Sequence, residues 1–474
     1  MKANWTPWVI FPALFLLGIE AVQGQQAMPG RGYGSRPMGR AVPTAAQADL
    51  QYAPGMGPPA YLPAAYADPN YGAPGPVEGP AYQAAPMHPT DGTVGCTDAC
   101  GCGDACEDCG GGYVKERRGL PHTYGTVEYM MAWTSGSSTP PLVTTSPFGT
   151  SRFNPPLFGA PNAGVIGAAG QVIFGGVETN KDMRNGGRID AGVWLDECGT
   201  AAIGGRFFTL APDKETFDEA SIGGVRTLAI PFLDPLLPGE NAFLVGYLDP
   251  NTGDLFEGFV NAVVEQSVLT ADLYTKIMMH DDENLRVDVL GGYFYGRVDD
   301  RLNLTFVSQQ TQAGGFPFAG PVFDIRDQFR STNEINAGEI GISFERRWNR
   351  WTATTQLRSA LGINTQNVRV TAAGSNINGF PVTNGFFASN QILGSFTRHQ
   401  FTAVPEIDFT VGYWITPHVR LTAGYTGMLF TNIVQSGDIL DRNVGPIGAP
   451  NPQFNWRDGE FWVQSINVGL NWDF

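Results

Sequence analysis

Apolar and polar side chains alternate with a period of two over much of the chain, beginning near residue 122. The pattern is clearest at the C-terminus. There the even positions from Trp462 to Phe474 are mostly apolar, and the odd positions from Ser465 to Asp473 are polar or glycine. Such alternation is typical of β-strands with one apolar and one polar face, and no helical period competes with it. The pattern predicts an all-β region from about residue 120.

Ten alternating segments can be placed, and most exceed the five or six residues of an average strand. The connections between them alternate in length, with short turns near Gly199, at 281–283, at 349–350 and at 416–418. Short turns at one end and long loops at the other are typical of antiparallel transmembrane β-barrels in outer membranes. We therefore predict a barrel of about ten strands, within a range of 8 to 14. The segments are 121–135, 186–197, 200–212, 257–280, 284–309, 327–348, 351–372, 394–415, 419–435 and 460–474.

Aromatic side chains on the apolar face fall at two levels along these segments. Amphipathic rings are stabilised at the headgroups on both sides of a bilayer, whereas a water-soluble β-sandwich gives no reason for such sorting. The pattern predicts that the apolar face contacts outer-membrane lipid. The lower level contains Phe344, Trp351, Tyr413, Trp472 and Phe474, and the upper level contains Trp133, Tyr293, Tyr295 and Trp462.

Composition excludes two other classes. The chain has a net charge of -16 and no cluster of Lys and Arg, which argues against a nucleic-acid partner. It also contains no apolar run of about 18 residues, so a helical membrane span is not expected.

The N-terminal residues are typical of an exported protein. Lys2, the apolar run from Trp8 to Ile19 and the sequence Val22-Gln23-Gly24 predict a signal peptide over 1–24. Residues 25–92 are rich in Pro, Gly and Tyr and poor in Leu, Ile and Phe, so we predict a disordered linker on the periplasmic side. A cell-wall contact through its tyrosines is one interpretation, and ordinary low-complexity composition is the other.

A Cys/Gly-rich segment follows over residues 93–119. Its spacing does not match the paired C-x2-C ligands of structural zinc sites, and export favours disulfides. Local disulfides are therefore the first interpretation and a metal site is the second. The odd number leaves one thiol to pair with Cys198 or to form an intermolecular disulfide. The five cysteines are Cys96, Cys100, Cys102, Cys106 and Cys109.

Three stretches resemble a known family: Gly125–Tyr129, Gly187–Asp196 and Phe461–Leu470. They are similar to the planctomycete beta-barrel porin family that is seventh in its naming series, and the similarity covers roughly residues 120–474. This resemblance implies a secretory signal, a low-complexity stretch and a C-terminal barrel over 120–474 in the cell outer membrane. The terminal strand, with Trp472 and Phe474, also resembles the signal that the barrel-assembly machinery reads.

Charged residues on the predicted inward face are nearly balanced in sign. Unpaired buried charges are costly, so such an interior is either joined by salt bridges or wet. Structural pairing and a conducting pathway both remain open. Twelve residues are predicted to line the lumen: Glu128, Arg188, Asp190, Arg206, Asp272, Lys276, Arg286, Asp288, Arg358, Glu406, Asp408 and Arg420. Asp196, Glu339, Glu345, Arg297 and Arg347 are five further inward candidates.

Three functions fit this sequence. The first is a porin for passive passage of small hydrophilic solutes, without a cofactor and with a cation preference due to eight acids in the predicted outer loop 213–256. The second is a structural or adhesive surface protein, because barrels of about eight strands are already filled by side chains. The third is an outer-membrane hydrolase using His399 beside Ser395 and Arg398. No acid is placed to complete that group, so we predict no catalytic residues and no enzyme.

Overall fold

The computed structural model describes residues 123–153, 162–196, 199–235, 239–372, 374–445 and 452–473. The predicted signal peptide, linker and Cys/Gly-rich segment lie outside the described residues, as do Cys198 and Phe474. Those interpretations stay predictions.

Ten long antiparallel strands form a ring. Each strand pairs with the next one along the chain, and the first also pairs with the last. This confirms the predicted all-β region and its ten strands. The strands are β1 Thr123–Thr134, β2 Arg184–Trp194, β3 Ala201–Ser221, β4 Leu255–Asp281, β5 Leu285–Ala313, β6 Val322–Trp348, β7 Trp351–Thr371, β8 Gly394–Trp414, β9 Val419–Ile433 and β10 Gly459–Asp473.

Strand β3 differs most from its prediction, because it continues to Ser221 instead of ending near residue 212. Pro212 marks the predicted end. The ladder with β4 shifts register there, so that Leu210 pairs with Val268 and Asp213 pairs with Gln266. A bulge accommodates a proline, which lacks a backbone N–H, without ending the strand. Part of the predicted loop 213–256 is therefore strand.

Short and long connections alternate around the ring, as predicted. The short connections join Trp194 to Ala201, Asp281 to Leu285, Trp348 to Trp351 and Trp414 to Val419, all at one end. Asn349 adopts a φ of 53°, a conformation that asparagine tolerates in a tight turn. The other end carries a helix, α1, at Ser436–Ile439 and short strands at Ser137–Ser138, Val143–Thr145, Gln171–Phe174, Glu178–Thr179, Leu228–Leu233, Glu240–Leu248, Phe316–Pro317, Asn376–Ile377 and Phe380–Pro381.

The outer face of the ring carries a band of exposed apolar side chains. On β7 the band runs from Trp351 to Ile363, both nearly half exposed. Twelve residues of tilted strand rise roughly 30 Å, about the thickness of a bilayer's hydrocarbon core. Trp351 and Phe344 are exposed near the short turns. Trp462 is exposed at the opposite end of the ring, near the start of β10. Among the described residues, no helix is long and apolar enough to cross a membrane.

Candidate functional site

The interior of the ring is the candidate site, and its side chains form layers. The first layer lies near the short turns. There the Lys276 ammonium sits 5.1 Å from the ring centre of Tyr124 and 5.8 Å from that of Trp194. Cation–π contacts of this kind stabilise an ammonium away from water. A cavity of about 160 Å³ adjoins these three residues.

Ion pairs join the remaining charges of this first layer. Arg286 Nε donates to Asp288 Oδ1 at 2.9 Å, and Arg420 Nη1 donates to Glu345 Oε2 at 3.0 Å. Arg347 Nε donates to the other Glu345 oxygen at 2.8 Å. The Arg420–Glu345 pair thus connects β9 with β6 across the interior, whereas the Arg286–Asp288 pair lies within β5.

Arg206 lies at the centre of the next layer and is buried. Its Nε donates to Asp272 Oδ2 at 2.5 Å. Its Nη1 and Nη2 donate to the two oxygens of Glu406 at 2.5 and 2.8 Å, a bidentate arrangement. Two parallel bonds of this type are stronger and more directional than one.

Arg188 makes a similar set of contacts one strand away. Its Nε donates to Glu128 Oε2 at 2.5 Å, and its Nη2 donates to Asp408 Oδ2 at 2.6 Å. Nη1 donates to the hydroxyl of Thr426 at 3.2 Å. Every nitrogen of this guanidinium has an acceptor.

Arg358 completes the second layer. Its Nη1 lies 3.4 Å from Glu339 Oε1, and its guanidinium lies over the ring of Tyr274 with 5.0 Å to the centroid. Tyr274 in turn donates to Asp190 Oδ1 at 2.5 Å. Three arginines therefore face six carboxylates: Glu128, Asp190, Asp272, Glu339, Glu406 and Asp408.

An apolar layer follows on the side of the long loops. All sixteen of its members are buried, and the rings of Phe430 and Phe461 lie 5.9 Å apart. An ion crossing this layer would lose its water without gaining a partner. The members are Met130, Ala132, Phe208, Leu210, Val268, Phe294, Val298, Ile335, Ala337, Ala360, Val404, Met428, Phe430, Ile433, Phe461 and Val463.

A loop segment enters the ring above the apolar layer, and we name residues 434–436 the plug. Val434 exchanges two hydrogen bonds with the Asn333 side chain, at 3.0 and 2.9 Å. The Ser436 backbone N–H donates to Asp300 Oδ1 at 3.0 Å, and the Ser436 hydroxyl contacts the same carboxylate. Beyond the plug, the loops and strands share a second apolar cluster that includes Leu228, Phe306 and Phe387.

The hydrogen-bonded ladder between two neighbouring strands of the ring, β8 and β9, is short; we name this contact the join of β8 and β9. The pairing between β8 and β9 covers only 406–414 with 420–428. Pro405, which lacks a donor, ends it. Beyond that point the Thr431 hydroxyl accepts from the Ala403 N–H at 2.9 Å and donates to its carbonyl at 3.1 Å. An outer groove of about 610 Å³ beside this join is lined by residues that include Ile407 and Trp462.

All twelve residues predicted to line the lumen lie inside the ring, within the first two layers. Eleven of them are ion-paired and Lys276 contacts aromatic rings, and the two described cavities inside the ring beside them are about 160 and 70 Å³. Two of the five further candidates differ from the prediction. Asp196 accepts from the N–H groups of Thr200 and Ala201 in a short turn, and Arg297 lies on the outer face, 2.7 Å from Asp299.

The sequence did not predict the apolar layer or the plug. Alternation identifies which face of a strand points inward, on the assumption that the inward face is polar. An inward phenylalanine breaks that assumption, so the apolar layer was not predicted. One signal was present. Continuous apolar runs such as Met130–Trp133 and Met428–Phe430 interrupt the alternation, which indicates burial on both faces.

The acids predicted to attract cations are partly neutralised. Asp213 lies 3.4 Å from Arg184, and Glu219 lies 3.0 Å from Arg226. Glu215, on the extended β3, accepts from the Asn180 N–H at 3.0 Å. Glu240 also pairs with Arg442, so arginines neutralise three of the eight acids of 213–256, which weakens the basis for a cation preference.

The hydrolase and metal-site interpretations concern other side chains. His399 lies on the outer face of β8, where its Nδ1 is 3.1 Å from the Thr365 hydroxyl. Within the described ranges, no group of three or more His, Cys, Asp or Glu side chains is arranged to hold a metal ion. The cysteine cluster lies outside those ranges, so its chemistry stays a prediction.

Several solved structures are similar to this chain at low identity. The outer membrane protease OmpT from Escherichia coli is 9% identical, with 74% of this chain and 97% of that chain covered and a TM-score of 0.37. The toluene transporter TodX from Pseudomonas putida is 8% identical, with 74% and 89% covered and a TM-score of 0.24. Likenesses of this size carry no argument about function. No curated protein matches the chain.

A family model gives a more specific result. The model described as "Putative beta barrel porin-7 (BBP7)" matches residues 124–474, from the second residue of β1 to the last residue of the chain. The match includes all ten strands of the ring and well over half of the sequence, and the chain therefore belongs to the beta barrel porin-7 family.

Proposed function

We propose that this protein is an outer-membrane β-barrel with a filled interior, and that it acts as a structural or adhesive surface protein. The observation that carries the proposal is the buried apolar layer, which lies between the charged layers and the plug. An open diffusion channel needs a continuous water-filled path. In the described residues, the apolar layer and the plug both lie across that path.

Placement in the outer membrane is supported by the outer face of the ring. Lipid-facing strands must present apolar side chains, and every backbone group must be paired within the sheet. The exposed apolar band meets the first requirement, and the antiparallel ladders meet the second except beyond Pro405 at the join of β8 and β9. The family match supports the same location. The long loops then face outward, and the short turns face the periplasm.

The charged layers support a structural role for the interior. Opening a path would separate pairs such as Arg206 with Glu406, and breaking one buried pair costs about 3–5 kcal/mol. Several such pairs would have to separate together. The interior therefore favours a rigid support over a gate that opens by thermal motion.

The loop side of the ring supports a role at the cell surface. Strands β3 to β7 extend beyond the apolar band, and their inner faces pack on the loops through the second apolar cluster. Loops held by a shared core lose little entropy when they bind a partner. Such a surface suits lasting contact with a neighbour or a wall component.

Passive transport remains a prediction, because the family description names porins and the first layer contains a cavity. Liposome swelling distinguishes the two functions. Vesicles loaded with the purified full chain should not swell in a solution of a small sugar, whereas vesicles with a sixteen-stranded porin should. Swelling comparable to that control would contradict the filled-barrel proposal.

The hydrolase interpretation also stays a prediction. His399 and Ser395 share the outer face of one strand and are four residues apart, or roughly 13 Å along it. That separation is too long for the hydrogen bond between a nucleophile and its base. Hydrolysis of peptides that is lost in His399→Ala would favour the enzyme.

A further inference from the structure

Three arginines stand side by side on neighbouring strands. Arg301 of β5 is the ladder partner of Arg330 on β6, and Arg330 is the ladder partner of Arg369 on β7. Side chains in such positions have Cβ atoms about 5 Å apart, and like charges directly opposite each other destabilise a sheet. We name these residues the arginine row.

The arginine row faces away from the ring interior. Its chain neighbours are buried inside, among them Leu302, Phe329 and Val370. Because successive side chains on a strand point to opposite faces, the three arginines point outward. The row is a local basic surface on a protein whose net charge is -16.

Carboxylates beside the row neutralise it only in part, since Glu265 of β4 is the ladder partner of Arg301 and Asp299 lies near Arg330. Arg301 and Arg369 form no ion pair with any described residue. Arg330 lies 3.4 Å from Asp299, but that carboxylate also binds Arg297 at 2.7 Å and the Thr332 hydroxyl at 2.6 Å. The Nε of Arg330 is buried without a hydrogen-bond partner in the part of the chain that the structure describes.

The row also lines a cavity. Its volume is about 420 Å³, and the side chains around it include Asn303, Gln328 and Thr371 beside the three arginines. The Asn303 and Gln328 amide N–H groups can donate hydrogen bonds to an anion, whereas the Thr371 hydroxyl already donates to Gln328 Oε1 at 3.0 Å. Converging guanidiniums favour a phosphate, since they bind its oxygens in pairs.

The height of the row indicates the kind of anion. Arg369 follows Ile363, the last exposed apolar residue of β7, by six residues, or roughly 15 Å above the apolar band. Simple headgroups add only about 5–7 Å on each side of the hydrocarbon core. A glycerophospholipid phosphate would lie below the row, whereas phosphates on a larger sugar headgroup would reach it.

We infer that the arginine row binds the phosphorylated sugar headgroup of a glycolipid in the outer leaflet. This inference rests on the proposed outer-membrane placement. Bound phosphates would relieve the repulsion among the three guanidiniums and supply the missing acceptor of Arg330. The bound glycolipid would then lie against the outer face of β5, β6 and β7.

Binding by the full chain in detergent micelles tests the inference. The probes are lipopolysaccharide with phosphorylated inner-core sugars, phosphatidylglycerol and inorganic pyrophosphate, each titrated and followed by native mass spectrometry. Wild type should prefer lipopolysaccharide over phosphatidylglycerol by about tenfold or more. Replacement of all three arginines by glutamine should remove that preference, and added salt should weaken it.

Arg326→Gln is the matched control. Arg326 points outward on the same strand β6 and is nearly half exposed, but Asp324 already pairs with it at 3.1 Å. This variant should bind lipopolysaccharide within about twofold of wild type. If the triple variant does not fold, Arg369→Gln alone should still weaken binding severalfold, because Arg369 is the exposed end of the row.

Three outcomes would overturn the inference. They are unchanged lipopolysaccharide binding by a folded triple variant, equal binding of phosphatidylglycerol, and binding of pyrophosphate with no preference for the lipid. Membrane insertion is measured separately by flotation with vesicles. Failure to insert would contradict the proposed function as well, whereas insertion without lipopolysaccharide preference would contradict the arginine row alone.

Discussion

The guanidinium of Arg206 donates two parallel hydrogen bonds to the carboxylate of Glu406, with nitrogen–oxygen distances of 2.5 and 2.8 Å. The two residues belong to β3 and β8, which are not neighbours in the ring, so the pair spans the interior. Both side chains are buried. The pair acts as a strut between opposite walls, and it explains why the interior is filled at this level.

Replacing Glu406 by glutamine should destabilise the protein by about 3 kcal/mol, because Arg206 would lose its bidentate partner and keep Asp272 at 2.5 Å and Glu339 at 3.9 Å. The measurement is the denaturant concentration at the midpoint of unfolding, with the folded fraction monitored by heat-modifiable gel migration. Glu334→Gln is the control, since Glu334 is on the outer face and lies 3.7 Å from Arg297. Equal shifts in the two variants would contradict a special role for the Arg206–Glu406 pair.

Opening the apolar layer should create an ion path. The double variant Phe430→Ala and Phe461→Ala removes two facing rings and costs about 3–5 kcal/mol for each. We expect measurable ion flux through this variant in vesicles and none through wild type. Leu421→Ala, a lipid-facing change on the same strand β9, should leave the flux at the wild-type level. Absence of flux in a folded double variant would place the barrier elsewhere.

The short ladder between β8 and β9 predicts a local weak point. Thr431→Val removes the hydroxyl that bonds to both backbone groups of Ala403, so amide exchange at 401–405 and 429–433 should become faster. Thr422→Val is the matched control. It changes the same residue type on β9, and the Thr422 hydroxyl has no hydrogen-bond partner among the described residues. Equal exchange in both variants would show that Thr431 does not hold this join.

The close packing of Gly125 on β1 against Trp472 on β10 predicts that a larger residue at position 125 impairs folding. A Cβ added to Gly125 would lie 2.2 Å from the Trp472 ring, which is too close for any contact. Gly125→Ala should therefore lower the fraction of purified chain that refolds in detergent, where no assembly machinery acts, and adding Trp472→Ala should restore it. Gly338→Ala is the control, because a Cβ there meets nothing within 4 Å. Normal folding of Gly125→Ala without the second change would show that Trp472 moves aside easily.

Much of this fold is predictable from alternation and turn spacing. Strand positions followed from residues such as Ile466 and Val468, which share a face, and the ring followed from the alternating connections. Pro212 led to one error, because a proline can occupy a bulge as well as end a strand. Alternation cannot distinguish these cases, since it contains no information about the partner strand.

The interior was only partly predictable. Period-two counting placed Arg188, Arg206 and Glu406 on the inward face, but it could not show that they bond to one another. Those contacts join strands that are distant in the ring, and they depend on its diameter and stagger. The plug was missed because residues 434 and 435 were predicted to continue the strand segment 419–435, whereas the strand ends at Ile433. The arginine row depends on register, which the sequence alone does not fix.

Single-channel recording of the purified full chain in a planar bilayer tests the filled interior most directly. The protein must first show heat-modifiable migration and flotation with vesicles. A recording without conductance steps can then be attributed to folded, inserted protein. We predict no stable conductance steps for wild type at moderate voltage, and steps only after the Phe430→Ala and Phe461→Ala changes. Regular, long-lived steps from the wild-type chain would contradict the filled barrel and favour a porin.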